Sequence, residues 1–506
     1  PDSFRIRRPV LSLQPLYRSG LRLDGMVVDV QGEGEFATAL RLELIGRGAS
    51  LEPTRPADAV IDVADSVYAS FQLAKSRDKS RPSHWICVTR MGADPSWIGL
   101  RQGMAQGACA GLCKSLHREW EETQGCVVDV DPEVSPPRAA QLVADELAGG
   151  DGALEVFRDE GIRRVVMLAT EAAPEQGAAL EGNPVIAITG GTRGITAEVA
   201  KELASRGPCK LALLARTPPG AEPLDEDAER KRIRAELNRS GARVTPVQIR
   251  RKMARLQSAE EARLNVAEMR ALGAEVEFFA VDTSDADAVM GVMMAIEQKL
   301  GPIDGIIHGA GIEESRLIDS KELSDFHRIF DCKAIGGVAL AENMARLAWF
   351  VSMGSVAGRF GNPGQVDYSA ANDGMARVCL ARSRSLHIDW TAWADVGMAV
   401  RGGMETLLTD RGVELLPAAA GAGVLVDLIL AGTTGELLIA GKLGDFTNPT
   451  THPLLDRVEL DRDGAVGRRS LSVENDGWIL DHAIEGTPVL PGVVGLELMA
   501  AVDDYI

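Results

Sequence analysis

The sequence predicts an α/β protein in which two units, each a parallel β-sheet covered by helices, follow one another, and a shorter segment of a different kind closes the chain. Three observations predict it. Short β-branched runs alternate with helical patterns from about Leu21 to Leu168, the same alternation restarts at Val185 after a polar link containing Pro and Gly, and the pattern changes again past Asn448. Strands alternating with helices require crossover connections, and these produce a parallel sheet buried on both faces.

In chain order, GMVVDV, RLELI, AVIDVA, HWICVTR, GCVVDV and RRVVML read as strands of the first unit, assigned to residues 1–180. The link EAAPEQGAALEGNP covers 171–184, and PVIAITG, KLALLAR, EVEFFAVD, GIIHGAG and WFVSMGS are the strands of the second unit, 181–448. Between Arg216 and Asp282 lies a long connection with a basic, helix-favouring middle in which Glu229, Glu236, Glu260 and Glu261 are interleaved. This predicts a helical insertion over 219–270 whose charges pair along the helix, with a docking surface for an acidic partner as the alternative. Residues 449–506 form the third segment.

Composition excludes several classes. At one domain per ~150 residues, 506 residues hold about three domains or a pair of large ones. The 45% hydrophobic and 25% charged content is that of a globular protein and rules out disorder. With 54 Lys and Arg against 73 Asp and Glu the formal charge is −19, which repels a phosphate backbone, so nucleic acid is not an expected partner. No run of 18 apolar residues and no apolar signal core occurs, so no membrane span and a cytoplasmic location are expected. Seven cysteines, odd in number, scattered and without a C-x-x-C pair, predict neither a zinc site nor a disulfide framework. The chain starts on Pro1 and stops at Ile506 inside an apolar helical pattern, from which a piece of something longer is expected.

The strongest local signal is VIAITGGTRGIT, residues 185–196. A hydrophobic strand runs into Thr189, Gly190, Gly191, Thr192, Arg193 and Gly194, and a helix follows from Ile195. A glycine turn at a helix N-terminus offers free backbone N–H groups and a positive dipole end to a pyrophosphate, as in a Rossmann-like unit. The next strand ends in Arg216 where such folds often carry an acid for the ribose 2′-hydroxyl; a cation there fits a 2′-phosphate, so NADPH is the expected cofactor. Asp282 and Thr283 follow the third strand, where an adenine-contacting acid is expected, and Gly309, Ala310 and Gly311 let the nicotinamide ribose pass close to the chain.

Ser355 and Tyr368 lie in GSVAGRFGNPGQVDYSAAND, with Asn372 four residues after the tyrosine and on the same helix face. Carbonyl reduction needs a hydride on carbon and a proton on oxygen. A tyrosine of pKa ~10 is a weak acid, so a nearby cation must support the phenolate it leaves, and Lys333 in FDCKAIGG is the candidate. Ser355 would hold the carbonyl oxygen, and Asn372 would position Lys333 and a relay water. The first unit lacks such a set, and its opening turn, Gln31-Gly32-Glu33-Gly34-Glu35, puts two carboxylates where a pyrophosphate would lie, which marks it as a non-catalytic scaffold.

TGGTRGI, the Gly309-Ala310-Gly311 turn, Lys333, the Ser355, Tyr368 and Asn372 set and WTAWADVGMA together resemble the ketoreductases of type I polyketide and fatty acid synthases, a short-chain dehydrogenase variant. The resemblance covers roughly 10 to 445 and implies a structural, cofactor-free subdomain ahead of a catalytic one. In that family the lysine comes from an earlier helix and asparagine takes its usual place, which Lys333 and Asn372 match. The insertion ending in ALGAEVEF and the stretch SRLIDSKELSDFHRIFDCK look most like ketoreductases of polyunsaturated-fatty-acid synthases and related iterative or insertion-bearing polyketide synthases. Thr196 stands where many relatives have a third glycine, so looser packing of helix on strand is expected there.

Past Asn448, HAIEGTPVLPG resembles the motif that begins a hot-dog-fold dehydratase, with His482 as the residue that removes an α-proton. The resemblances together imply an NADPH-dependent β-ketoacyl reductase acting on a thioester carried by the phosphopantetheine arm of an acyl carrier protein, beside neighbouring synthase domains and as a homodimer in the full synthase. A stand-alone dehydrogenase for a small alcohol or ketone, and a scaffold without catalysis, are the other two readings of the residues.

Overall fold

A computed structural model describes residues 4–443 except 15–19, 53–54, 64–65, 93–94, 240–244, 343–346, 395, 398–407 and 410–411, and beyond 443 it describes 457–461, 464–469, 483–484, 487–490, 494–495 and 498–499. Fourteen strands join in one sheet: β1 Arg5–Leu13, β2 Val28–Gln31, β3 Ala59–Val63, β4 His84–Thr89, β5 Gln124–Val130, β6 Glu155–Arg158, β7 Arg163–Glu171, β8 Val185–Thr189, β9 Lys210–Ala215, β10 Glu275–Ala280, β11 Gly305–His308, β12 Trp349–Met353, β13 Ser385–Trp390 and β14 Gly435–Ala440. The helices are α1 Glu35–Gly46, α2 Val67–Arg77, α3 Leu100–Glu119, α4 Pro136–Gly149, α5 Gly194–Arg206, α6 Glu226–Arg239, α7 Pro246–Ala271, α8 Ala286–Leu300, α9 Leu323–Glu342, α10 Val356–Phe360, α11 Val366–Leu380 and α12 Ala418–Leu430.

The two halves differ in topology, and the difference decides where a ligand can sit. In the second, the parallel order is β10-β9-β8-β11-β12-β13-β14, so the chain reverses direction between β8 and β11. Such a switch point opens a crevice at the carboxyl ends of the strands. In the first half, β2 to β6 lie side by side in simple chain order, so these strands have no switch point. The seam is antiparallel: β1 pairs with β14 on one side and β7 on the other, and Arg8 forks onto Glu171 at 2.5 and 2.7 Å.

RLELI, expected as a strand, is the second half of α1. Ala37, Leu40 and Leu44 are its buried residues, three and four apart, while Leu42 and Ile45 face out, so the run follows a period of 3.6 and not of 2. Strand β1 has no counterpart among the runs expected as strands: it lies ahead of the first of them, and Ile6 is its one buried residue.

The halves share a core in which Trp85, Leu116 and Trp120 join Phe326, Phe350, Val366 and Met375. At its centre α3 lies directly on α11. Gly103, Gly107 and Gly111 fall every fourth residue on one face of α3. A Cβ at Gly107 would come within 2.5 Å of the Arg377 side chain and 3.0 Å of Gly374 Cα, so only glycine permits this approach. Beside the crossing, Lys114 Nζ meets Asp373 at 2.7 Å and Glu155 at 2.9 Å, and Arg359 and Arg377 also close on Glu155, all of them buried. Burial and the neighbouring guanidinium of Arg359 pull Lys114 down to about 7. The first half thus grips the helix that carries Tyr368.

The predicted insertion is a helical hairpin of α6 and α7, closed by Ile233, Leu237 and Met253. Its charges pair as Arg230–Glu226, Arg232–Glu229, Lys252–Glu236 and Arg263–Glu260. Beyond residue 443 the described strands make two small antiparallel pairs, 457–461 with 464–468 and 483–484 with 487–488, and His482 lies outside the described residues.

Candidate active site

The reversal between β8 and β11 places two turns face to face. Gly190 has φ +73°, and a Cβ on it would come within 2.9 Å of the Gly309 carbonyl oxygen. Thr189 is fully buried beneath them; its Oγ1 accepts from the Ala310 N–H at 3.1 Å and meets His308 Nδ1 at 2.9 Å. Gly191 packs on Ile188 and Leu213, so Thr189 and Gly191 shape the turn from below and do not face a ligand. Thr196 does not loosen the packing: it is buried against Gly309, whose missing side chain leaves the room that a third glycine gives elsewhere.

Above the turns lies an open cavity of about 610 Å³, within the range of ligand pockets. Gly190, Thr192, Arg193, Gly194, Ile195 and Arg216 line it together with Gly309, Ala310, Gly311, Lys333 and Tyr368. Thr283 is on its wall, and its hydroxyl donates to the Cys332 carbonyl at 2.6 Å, fixing α9 beside Lys333. Asp282 departs from expectation. It is exposed outside the wall, and its carboxylate accepts from the Ser284 N–H at 3.0 Å and hydroxyl at 2.8 Å. Burial works to raise that carboxyl, but Ser284 and Arg216 outweigh it and hold it below the usual range.

Tyr368 sits in the first turn of α11, where the Asp367 carboxylate accepts its backbone N–H and is itself held by buried Lys321 at 2.6 Å. Burial, with Glu313 adding, pushes the phenol up to about 12; the Asn372 amide and Ser355 hydroxyl pull the other way. Ser355 caps α10, accepting from the Ala357 N–H at 3.2 Å. Lys333 Nζ donates to the Met353 carbonyl at 2.6 Å, and burial lowers it to about 8. Asn372 does not hold Lys333: its Nδ2 donates to the Tyr368 carbonyl at 2.8 Å, and its buried Oδ1 closes no hydrogen bond. The β12 carbonyl reaches the lysine first.

His308 carries no signal of its own in the sequence. Fully buried, it joins Thr189 to the Lys333 carbonyl, where its Nε2 bonds at 2.9 Å, and burial with the Lys333 charge drops it to about 3, so it stays neutral. Glu313, also unforeseen, lies on the cavity wall and accepts from Gln365 Nε2 at 2.9 Å.

A doubly wound parallel sheet whose switch-point cavity is lined by a glycine turn and by a lysine and a tyrosine is the arrangement of a short-chain dehydrogenase/reductase, an NAD(P)H-dependent class. Residues 185–395 match the KR domain family and 452–505 the polyketide synthase dehydratase domain family. The chain is thus similar to ketoreductase domains over 185–395 and to the polyketide synthase dehydratase domain over 452–505. It is 28% identical over 462 residues to a polyunsaturated fatty acid synthase polypeptide of Thraustochytrium sp., a match that covers 82% of this chain and 16% of that protein. It is 28% identical over 439 residues to erythronolide synthase EryA3 of Saccharopolyspora erythraea, covering 80% and 12%. The chain thus spans less than a fifth of either relative. The ketoreductase PlmKR1 from the first module of phoslactomycin biosynthesis in Streptomyces sp. HK803 shares the fold, with a TM-score of 0.70 at 20% identity, over 88% of this chain and 96% of that one. Among the described residues no helix is long and apolar enough to cross a membrane.

Proposed function

We propose that the chain reduces a β-ketoacyl thioester, carried on the phosphopantetheine arm of an acyl carrier protein, to the β-hydroxyacyl thioester with NADPH, as one region of a longer homodimeric synthase. The observation that carries this reading is one cavity lined by the glycine turn and Arg216 together with Lys333 and Tyr368.

The residues present fit a dinucleotide. Gly190 keeps the turn free of side chains, Gly194 leads the α5 N-terminus toward the cavity, and exposed Arg216 supplies a cation for a 2′-phosphate. The bound cofactor supplies a hydride for the β-carbon. Tyr368, held in its acid form by burial, gives its proton to the carbonyl oxygen, and Ser355 orients that oxygen. Lys333, a buried ammonium on the same wall, offsets the phenolate charge that remains, in surroundings that strengthen the attraction. The free Asn372 Oδ1 is an acceptor for a water that returns the proton. In this reading 1–180 is the scaffold, 181–448 the reductase, and 449–506, with His482, belongs to a neighbouring dehydratase.

The test is NADPH oxidation by the purified chain with a β-ketoacyl N-acetylcysteamine thioester. Turnover of the thioester supports the reading. Activity on small free ketones alone supports a stand-alone dehydrogenase, and none on either supports a scaffold; both overturn it.

A further inference from the structure

The insertion does more than cover the sheet. Helix α7 crosses the N-terminus of α5, and Ser258, Glu261 and Asn265 share the face it turns to the glycine turn, at a spacing of three and four residues. Ser258 Oγ accepts from Arg193 at 2.5 Å, Glu261 Oε1 accepts from the Gly194 N–H at 3.1 Å, and Asn265 Nδ2 donates to the Thr192 carbonyl at 3.0 Å. The register is fixed from behind by Ala262, Val266 and Met269; the last two are packed with Ala197, Ala200 and Leu203 of α5. Lys201 of α5 adds an ion pair to Glu268 at 3.1 Å.

Thr192, Arg193 and Gly194 also line the cavity, where the dinucleotide reading puts the phosphates. The Gly194 N–H is the first of the unsatisfied donors of α5, and an anion is drawn to it by the helix dipole. A carboxylate already holds that donor. We propose that Glu261 occupies the anion position of the cofactor's pyrophosphate, so that the insertion sets nucleotide affinity by making the cofactor displace a tethered carboxylate. This rests on the dinucleotide-site reading above. The exposure of Glu261 allows it to swing aside, and a like charge left nearby then opposes the bound phosphates.

The experiment measures dissociation constants of NADPH and NADH for the full 506-residue chain by nicotinamide fluorescence, in low and high salt, for the wild type, Glu261→Gln and Glu260→Gln. Glu260 is paired with Arg263 and serves as the control for net charge. Removing one exposed negative charge about 4 Å from a phosphate predicts that Glu261→Gln binds both nucleotides about fivefold more tightly in low salt. The gain should close in about 1 M salt, and Glu260→Gln should stay at the wild-type value. Unchanged or weaker binding by Glu261→Gln overturns the proposal. So does tightening confined to NADPH, because it would place Glu261 at the 2′-phosphate, and so does an equal gain in Glu260→Gln. A wild-type chain that binds neither nucleotide refutes the dinucleotide site itself, and the proposal with it.

Discussion

The alkaline limb of the reduction should belong to Lys333 and not to Tyr368. Burial moves the two groups apart, the lysine down to about 8 and the phenol up to about 12. The ammonium is the form that supports the phenolate, so activity must fall as pH rises through the lysine value. Between pH ~7 and ~9 the charged fraction of a group titrating at about 8 drops from about nine-tenths to about one-tenth, while a phenol at about 12 stays protonated. The prediction is a loss of about tenfold in kcat/KM over that interval. Initial rates of NADPH oxidation with a β-ketoacyl N-acetylcysteamine thioester measure it. Lys333→Arg keeps a charge that does not titrate here, so whatever lower rate it retains should be flat across the interval. A wild-type profile flat to pH ~10, or a limb near the ordinary lysine value of ~10.4, would refute the reasoning.

Two further outcomes follow from the geometry. Arg216→Ala should weaken NADPH binding by about ten- to a hundredfold, the worth of a charge-assisted hydrogen bond, with NADH changed by no more than about threefold; equal losses would remove Arg216 from the phosphate site. Lys114→Met leaves Asp373 and Glu155 buried one cation short, and should lower stability by about 3 to 5 kcal/mol in urea unfolding, with part of the loss recovered in the double variant Lys114→Met/Asp373→Asn. A cost below about 1 kcal/mol would mean that the two halves do not depend on this pairing.

Local patterns are legible in the sequence; long-range placement is not. Strand β8, the glycine turn and α5 follow one another within about twenty residues, and their apolar run, glycines and helix start can be read directly. Lys333, Ser355 and Tyr368 can be read as a chemical set, but no spacing along the chain shows that α9 and α11 converge on one cavity. His308 stays hidden for the same reason: its partners, Thr189 and Lys333, are 119 and 25 residues away. The contact of Glu261 with Gly194 spans 67 residues. One signal is present in the chain without pointing to its partner. The glycines at 103, 107 and 111 mark a helix face that accepts another backbone, and that backbone is the helix of Tyr368. In α1 the run RLELI satisfies both periods over five residues, and only the buried Ala37 and Leu40 before it settle the helix.

In the proposed reaction Tyr368 supplies the proton for carbonyl reduction from the wall of the nucleotide cavity. Tyr368→Phe removes the hydroxyl and keeps the ring. Single-turnover reduction of a β-ketoacyl thioester by this variant, measured beside its NADPH dissociation constant, separates proton donation from cofactor binding. Reduction should slow by at least about a hundredfold, the usual worth of a positioned acid, with NADPH binding within about twofold of wild type. Turnover retained at the wild-type rate would contradict this role of Tyr368.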